Sequence, residues 1–179
     1  QFTIHASFTG EPPAALLAIP PLPAGRDALE RALHATVELL TPGGGGSGTV
    51  VTADGLILTN AHVLGDIDDK PVPDGKLIVA VTLDPHAPAT ELFRGRVIKT
   101  DAELDLALVE ITTGFYGQPL PDGYRFRSLP MGDPAQLRLG DPLWTIGYPA
   151  IGGTRSRPTV PLKRGIVSGF ERYRGGSLI

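Results

Sequence analysis

The chain contains no cysteine among its 179 residues, which excludes a disulfide framework and any cysteine-based metal site. Aromatic residues make up only 6% of the sequence, and no apolar run approaches the roughly 20 residues that a membrane-spanning helix requires. The formal net charge is −3, which argues against a dedicated nucleic-acid-binding protein. At this length, the chain is long enough to bury a sizeable core without such supports.

Glycine and proline are abundant instead, with 23 and 18 residues, as is typical of many short strands joined by tight turns. A loosely patterned stretch over 112–134 separates five apolar segments from two later ones. Each segment has the length of a strand and is bounded by Gly, Pro, Asp or Asn. This rhythm predicts an all-β antiparallel barrel or sandwich rather than βαβ units. The segments are GTVVTA, GLILTN, KLIVAVTL, LFRGRVIKT, DLALVEI, DPLWTIGYP and RGIVSGF.

The first part of the chain, residues 1–26, is too rich in proline for a helix or a central strand and is interpreted as an extended arm or linker. Asp27 can cap a following helix, with Glu30 three residues later in the capping-box position. Residues 35–40 fit the end of this helix or a strand equally well, so its boundary stays open. The apolar residues on helical spacing are Leu29, Leu33, Val37 and Leu40.

His62 follows an apolar strand segment and lies in AHVL, which is long enough for a single helical turn. A general base must be held by rigid structure, and its second ring nitrogen needs an acceptor that selects the tautomer. Asp105 is the best candidate for a buried acceptor, because its apolar neighbours Leu104 and Leu106 predict burial and a buried carboxylate needs a compensating partner. The separation of 43 positions from His62 to Asp105 leaves room for two or three strands. From these residues alone, a packed core histidine and a strand-edge charge remain alternatives.

Four motifs in order carry a family resemblance: GSGTVVTADGLILTNAHVL, DLALVEI, LRLGDPLWTIGYP and GIVSGF. From about Ala35 to the C-terminus, the chain resembles the trypsin-like serine peptidases of the bacterial Deg/HtrA type. By this resemblance, His62 matches the catalytic histidine and Asp105 matches the catalytic aspartate. The agreement of four ordered motifs makes purely structural roles for these two residues improbable.

The resemblance also implies an all-β fold, the chymotrypsin-like double β-barrel with its active site in the cleft between the barrels. The expected organisation is an N-terminal Pro-rich arm over 1–26, a complete first β-barrel with a short helix over 27–120, and a partial second β-barrel over 121–179. In this family the first barrel supplies the histidine and aspartate. The second barrel supplies the nucleophilic serine, the oxyanion hole and the main specificity pocket.

No serine of this chain lies in the Gly-Asn-Ser-Gly-Gly or Gly-Asp-Ser-Gly-Gly loop that the family uses for its nucleophile. Ser47 matches the Gly-Ser-Gly that opens an early strand of the first barrel. Ser177 has two glycines before it, but the family pattern needs them after it, so Ser177 is expected to be a strand residue. We therefore expect the nucleophilic serine to lie outside this chain and the 179 residues alone to be inactive. The second barrel is then expected to be completed by a second chain, by a further segment or by self-association.

These observations predict a serine endopeptidase that acts on polypeptide substrates, in an extracytoplasmic (periplasmic or secreted) location that follows from the resemblance only. The alternative is a non-catalytic peptidase-fold binding or scaffold protein in which His62 and Asp105 are structural partners. Two features depart from the family: Tyr148 replaces the asparagine of a common Gly-Asn-Pro, and the stretch over 150–164 is longer than usual. That stretch is interpreted as a basic solvated insertion or as a regulatory or specificity loop.

No metal or other cofactor is expected. The remaining histidines, His5, His34 and His86, show no metal-ligand spacing, and packing or solvated roles are expected for them. The acidic stretch over 65–70 lacks the glycine and glutamate that complete a calcium loop, so we interpret it as a surface loop.

Overall fold

A computed structural model of the chain consists mainly of strands, six of which form one closed barrel. The first residues of the predicted arm, most of the acidic stretch over 65–70 and most of the insertion over 150–164 lie outside the described residues, as does His5. The structure describes residues 14–65, 72–73, 75–148, 159–170, 172–173 and 176–177.

Six antiparallel strands close the barrel in the order β1-β2-β3-β6-β5-β4, because β1 pairs with both β2 and β4. Closure leaves no unpaired strand edge, and alternate side chains of each strand fill the interior. The fully buried side chains include Val37, Leu39, Ile57, Val79, Phe93 and Val109. The strands are β1 (Thr36–Thr41), β2 (Gly44–Val50), β3 (Leu56–Thr59), β4 (Leu77–Val81), β5 (Thr90–Asp101) and β6 (Leu106–Gly114).

Two helices precede the barrel, α1 (Ala14–Leu17) and α2 (Ala28–Ala35). The predicted cap of α2 is confirmed, since the Asp27 carboxylate accepts a hydrogen bond from the Glu30 backbone N–H at 2.9 Å. The Glu30 carboxylate does not return this bond to residue 27, as a capping box would, but accepts from the Arg26 N–H at 2.7 Å. The Arg26 side chain also binds this carboxylate and holds the pKa of Glu30 at about 2.

The boundary that the sequence left open lies between Ala35 and Thr36, where α2 passes directly into β1. Val37 and Leu40 continue the helical spacing of α2, yet both belong to β1. Val37 is fully buried in the barrel, so the packing of a closed sheet decides against the local helical pattern.

Residues 17–23, from the last residue of α1 toward α2, form a strap that joins no strand of the barrel. Its proline-rich backbone is held by side chains, because Gln118, Tyr124 and Arg127 donate hydrogen bonds to four strap carbonyls at 2.8 to 3.2 Å. Leu22 of the strap is buried in the barrel core. Burial raises the pKa of Tyr124 to about 12. Side-chain donors thus replace the strand pairing that prolines prevent.

The second half of the chain contains shorter elements. A 3-10 helix, Pro134–Gln136, comes first. Strand β7 (Pro142–Ile146) then pairs with β8 (Leu162–Ile166). A second, shorter pair consists of β9 (Arg172–Tyr173) and β10 (Gly176–Ser177). These two pairs, beside a closed first barrel, confirm the predicted all-β architecture with a partial second barrel. Among the described residues, no helix has the length and apolar character to cross a membrane.

Candidate active site

The two candidate catalytic residues lie where β3 ends and β6 begins. These strands are antiparallel and pair Thr59 with Ala107, so the end of β3 and the start of β6 are at the same edge of the barrel. A 3-10 helix, Ala61–Leu64, follows β3 and carries His62, which confirms the predicted single helical turn. Asp105 directly precedes β6, and its carbonyl accepts a hydrogen bond from the Ala61 N–H at 3.2 Å. The structure therefore brings His62 and Asp105 together, with β4 and β5 between them along the chain.

The Asp105 carboxylate holds both the ring and the backbone of His62. Its Oδ2 lies 2.7 Å from His62 Nδ1, and its Oδ1 accepts from the His62 backbone N–H at 2.9 Å. Asn60 Nδ2 donates to the same Oδ2 at 3.2 Å and to the Asp105 carbonyl at 3.0 Å. Three neighbouring donors thus fix this carboxylate in one orientation.

These hydrogen bonds also determine the protonation of the pair. The bond from the His62 backbone N–H, followed by the bond from the His62 ring, holds the pKa of Asp105 below its ordinary value. Because an ionised carboxylate only accepts hydrogen bonds, Nδ1 of a neutral His62 carries the ring proton and Nε2 has a free lone pair. The arrangement can therefore accept a proton at Nε2.

The expectation that apolar neighbours bury Asp105 is wrong. Its side chain is 45% exposed, and Leu104 and Leu106 are themselves exposed at the end of the barrel. Asp105 closes a turn in the left-handed backbone region, with φ of 51°, which aspartate adopts more readily than most residues. The His62 side chain is 72% exposed, which rules out a packed core histidine. Hydrogen bonds, rather than burial, orient both side chains.

An open pocket of about 450 Å³ lies beside His62, within the size range of ligand-binding clefts. One wall is the glycine-rich stretch 43–46 that leads into β2, and Val63 and Tyr148 contribute other parts of the lining. No described lysine, arginine, aspartate or glutamate lines the pocket. The described lining of the space next to the imidazole is therefore uncharged, and the space is open.

Ser47 lines the same pocket but is engaged elsewhere. Its hydroxyl accepts a hydrogen bond from the Tyr148 N–H at 2.5 Å and donates to the Tyr148 carbonyl at 3.2 Å. In the part of the chain that the structure describes, no serine hydroxyl is hydrogen-bonded to His62. The backbone of Ser177 lies in β10, which confirms the prediction that it is a strand residue.

Sequence reasoning missed Asn60 and Tyr148 as parts of this site. Asn60 lies inside the motif GSGTVVTADGLILTNAHVL, directly before the segment AHVL, but its bonds to Asp105 depend on a residue 45 positions away. The remaining described histidines lie elsewhere: His34 is buried with its Nδ1 2.9 Å from the Thr82 carbonyl, and His86 is exposed. Within the described ranges, no three His, Asp or Glu side chains form a group that could hold a metal ion.

Comparison with known proteins places the site in a family context. A family model described as "Trypsin-like peptidase domain" matches residues 46–179. The chain is 34% identical over 128 residues to the mitochondrial serine protease HTRA2 of Bos taurus, covering 71% of this chain and 22% of that protein. It is 35% identical over 106 residues to the putative serine protease HhoA of Synechocystis, covering 59% and 22%.

A third relative is a probable periplasmic serine endoprotease, DegP-like, from Bartonella henselae, which is 34% identical over 110 residues. This match covers 61% of the chain and 18% of that protein. The chain thus spans about a fifth of the length of the curated relatives that it matches.

Proposed function

The chain belongs to the family of trypsin-like peptidase domains, and we propose that it is the part of a serine endopeptidase that supplies the general base and its orienting carboxylate. The observation that carries the proposal is the 2.7 Å contact between His62 Nδ1 and Asp105 Oδ2 beside an open pocket whose described lining is uncharged. Relatives whose names describe serine proteases support the same class of activity.

In the proposed mechanism, His62 Nε2 takes the hydroxyl proton of a serine as the serine oxygen attacks the peptide carbonyl carbon. His62 then passes this proton to the leaving amine, and an acyl-enzyme forms. In the second half, His62 removes a proton from water, the hydroxyl attacks the acyl carbon, and the proton returns to the serine. Asp105 keeps Nδ1 protonated throughout and stabilises the imidazolium, while Asn60 holds the carboxylate in place.

We propose that the attacking serine lies outside these 179 residues, because no serine here has the glycine-rich environment of the family nucleophile. Further polypeptide, from the same protein or from a second copy, would then pack on the β7–β8 pair. The apolar side chains that this pair exposes support this view, since Trp144 is 50% exposed and Leu143 and Ile166 are exposed beside it. The substrate would be a polypeptide and the location extracytoplasmic, in line with the relative named as periplasmic.

The decisive experiment measures peptide hydrolysis by the protein encoded by the complete reading frame, which should contain a Gly-x-Ser-Gly-Gly segment. Asp105→Asn should lower kcat by about 10⁴-fold, because the base loses its tautomer, and His62→Ala should lower it by about 10⁶-fold, because the serine loses its base. The control is His86→Ala, which removes an exposed histidine elsewhere and should keep the full rate. Wild-type turnover in both site variants would refute the assignment.

A second measurement uses the 179-residue chain alone. A fluorophosphonate, which labels activated serines, should not react with this chain, and stoichiometric labelling of Ser177 would contradict the proposed position of the nucleophile. A reading frame without the serine motif, together with absent hydrolysis, would favour the alternative of a non-catalytic binding or scaffold protein in which His62 and Asp105 are structural partners.

A further inference from the structure

Tyr148 follows β7 and is the residue that departs from the family's common Gly-Asn-Pro. It is only 3% exposed, although it belongs to the second half of the chain and β7 itself is largely exposed. Its backbone is held at two atoms by Ser47 of β2, whose hydroxyl accepts from the Tyr148 N–H at 2.5 Å and donates to the Tyr148 carbonyl at 3.2 Å. One barrel side chain therefore fixes the peptide groups on both sides of Tyr148 Cα.

The Tyr148 side chain is held by a second part of the barrel. Its hydroxyl is hydrogen-bonded to Thr82 Oγ1, and Thr82 is 1% exposed just after β4. Tyr148 belongs to a small buried cluster with Ala80 of β4, Ala89 directly before β5, and Val160. Because a buried hydroxyl without a partner is unfavourable, the Tyr148–Thr82 pair specifies how deeply the tyrosine inserts.

The attachment at Ser47 leads to the pocket beside His62. Ser47 and Tyr148 line that pocket together with His62. The Ser47 carbonyl also accepts a hydrogen bond from Thr59 Oγ1 at 2.7 Å, and Thr59 ends the strand that leads to His62. The approach of the two segments depends on Gly147, since a Cβ there would lie 2.7 Å from Ser47 Oγ.

We propose that Tyr148 is a positioning residue, which locks the segment after β7 onto the barrel and so sets the wall of the His62 pocket. The inference deepens the proposed function, on which its kinetic test rests, whereas its hydrogen-exchange test needs no activity. A purely structural role would affect global stability alone. A positioning role affects local order after β7 and the rate of hydrolysis more than it affects the stability of the barrel.

The first test is amide hydrogen exchange in the 179-residue chain. Tyr148→Phe keeps the ring but removes the hydroxyl, so amides over 142–148 should exchange about tenfold faster while those of β3 and β6 keep their wild-type rates. The matched control is Tyr124→Phe, which removes a partly buried hydroxyl bonded to the strap carbonyl of Pro20. It should leave exchange over 142–148 unchanged. Should Tyr148→Phe fail to fold, Ser47→Ala removes the backbone attachment and should accelerate the same amides.

The second test measures hydrolysis by the complete protein. Tyr148→Phe should lower kcat/KM by about tenfold. The double variant Tyr148→Phe/Thr82→Val should lower it little further, because both changes remove the same bond. Tyr124→Phe should keep the wild-type rate of hydrolysis even if it lowers the melting temperature as much as Tyr148→Phe does. Wild-type exchange over 142–148 in both Tyr148→Phe and Ser47→Ala, or fully additive losses in the double variant, would refute the proposal. If no variant hydrolyses peptides, the proposed function fails, and the exchange result alone decides the role of Tyr148.

Discussion

Gly46 lies on β2 opposite Leu39, and the side chain of Val63 from the 3-10 helix covers it. A Cβ at Gly46 would lie 2.7 Å from Val63 Cγ2 and 2.8 Å from Cγ1, whereas ordinary contacts begin at 3.4 Å. Rotation of the Val63 side chain relieves only one of these two overlaps. The Cβ of valine carries two methyl groups and a single hydrogen, so at least one methyl group still faces Gly46. In Gly46→Ala, the 3-10 helix must therefore move away from β2 by about 0.7 Å, the shortfall from ordinary contact.

The magnitude follows from this overlap. Overpacking of this kind destabilises proteins by about 1–3 kcal/mol, and for a chain of this size each kcal/mol lowers the melting temperature by about 2–4 °C. We expect Gly46→Ala to lose about 2 kcal/mol, which corresponds to about 4–8 °C. Val63 adjoins His62, so the same displacement lengthens the ring contact with Asp105. A misplacement of about 1 Å at a reacting group can lower a rate about 100-fold, so hydrolysis should fall at least about tenfold.

Thermal unfolding by circular dichroism and ¹⁵N NMR of the His62 ring in the 179-residue chain measure the two effects separately. The control is Gly132→Ala, since a Cβ there meets no atom within 4 Å, and it should match the wild type. The double variant Gly46→Ala/Val63→Ala removes both overlapping methyl groups and should restore most of the melting temperature and the His62 signal. A wild-type melting temperature and ring signal in Gly46→Ala, or no recovery in the double variant, would show that this contact does not position His62.

Two further predictions concern the strap and the carboxylate. Arg127→Ala removes two hydrogen bonds to strap carbonyls, so it should lower the free energy of unfolding by about 2 kcal/mol and speed proteolysis of residues 17–23. The control Arg125→Ala removes an exposed arginine and should have neither effect. Equal melting temperatures for the two variants would contradict this role. The pKa of Asp105 is lowered, so its contribution to stability is present above the unfolded pKa and is lost as pH falls through the folded one. In a ¹³C carboxyl titration, His62→Ala should raise the Asp105 midpoint, and an unchanged midpoint would show that the ring does not stabilise the carboxylate.

Several features could be predicted because they depend on neighbouring residues. The segment LILT is short, apolar and bounded by glycine and asparagine, and it forms β3. Asp27 caps α2 because its carboxylate reaches an N–H only three residues away. Residues 35–40 fit two local patterns equally well, and only the pairing of β1 with β2 and β4 makes them a strand.

The surroundings of Asp105 illustrate the opposite case. Its apolar neighbours predict burial, but a turn at the end of the barrel exposes Leu104, Leu106 and the carboxylate. The orientation of the carboxylate comes from Asn60 and His62, which approach it only after β3 and β6 pair. The pattern of residues identifies the chemical groups, whereas their mutual distances depend on strand register.

The sequence by itself determined the strand-rich class of the fold, the family resemblance and the two residues that could act as base and orienting carboxylate. Those properties reside in short segments, where alternation, turn residues and motif order act over a few positions. The tertiary structure decided that His62 Nδ1 meets Asp105 Oδ2, and that Tyr148 reaches Ser47 across 101 residues. Contacts at such separations form only when the barrel closes and its strands select one register, because a shift by one residue would turn every side chain to the opposite face.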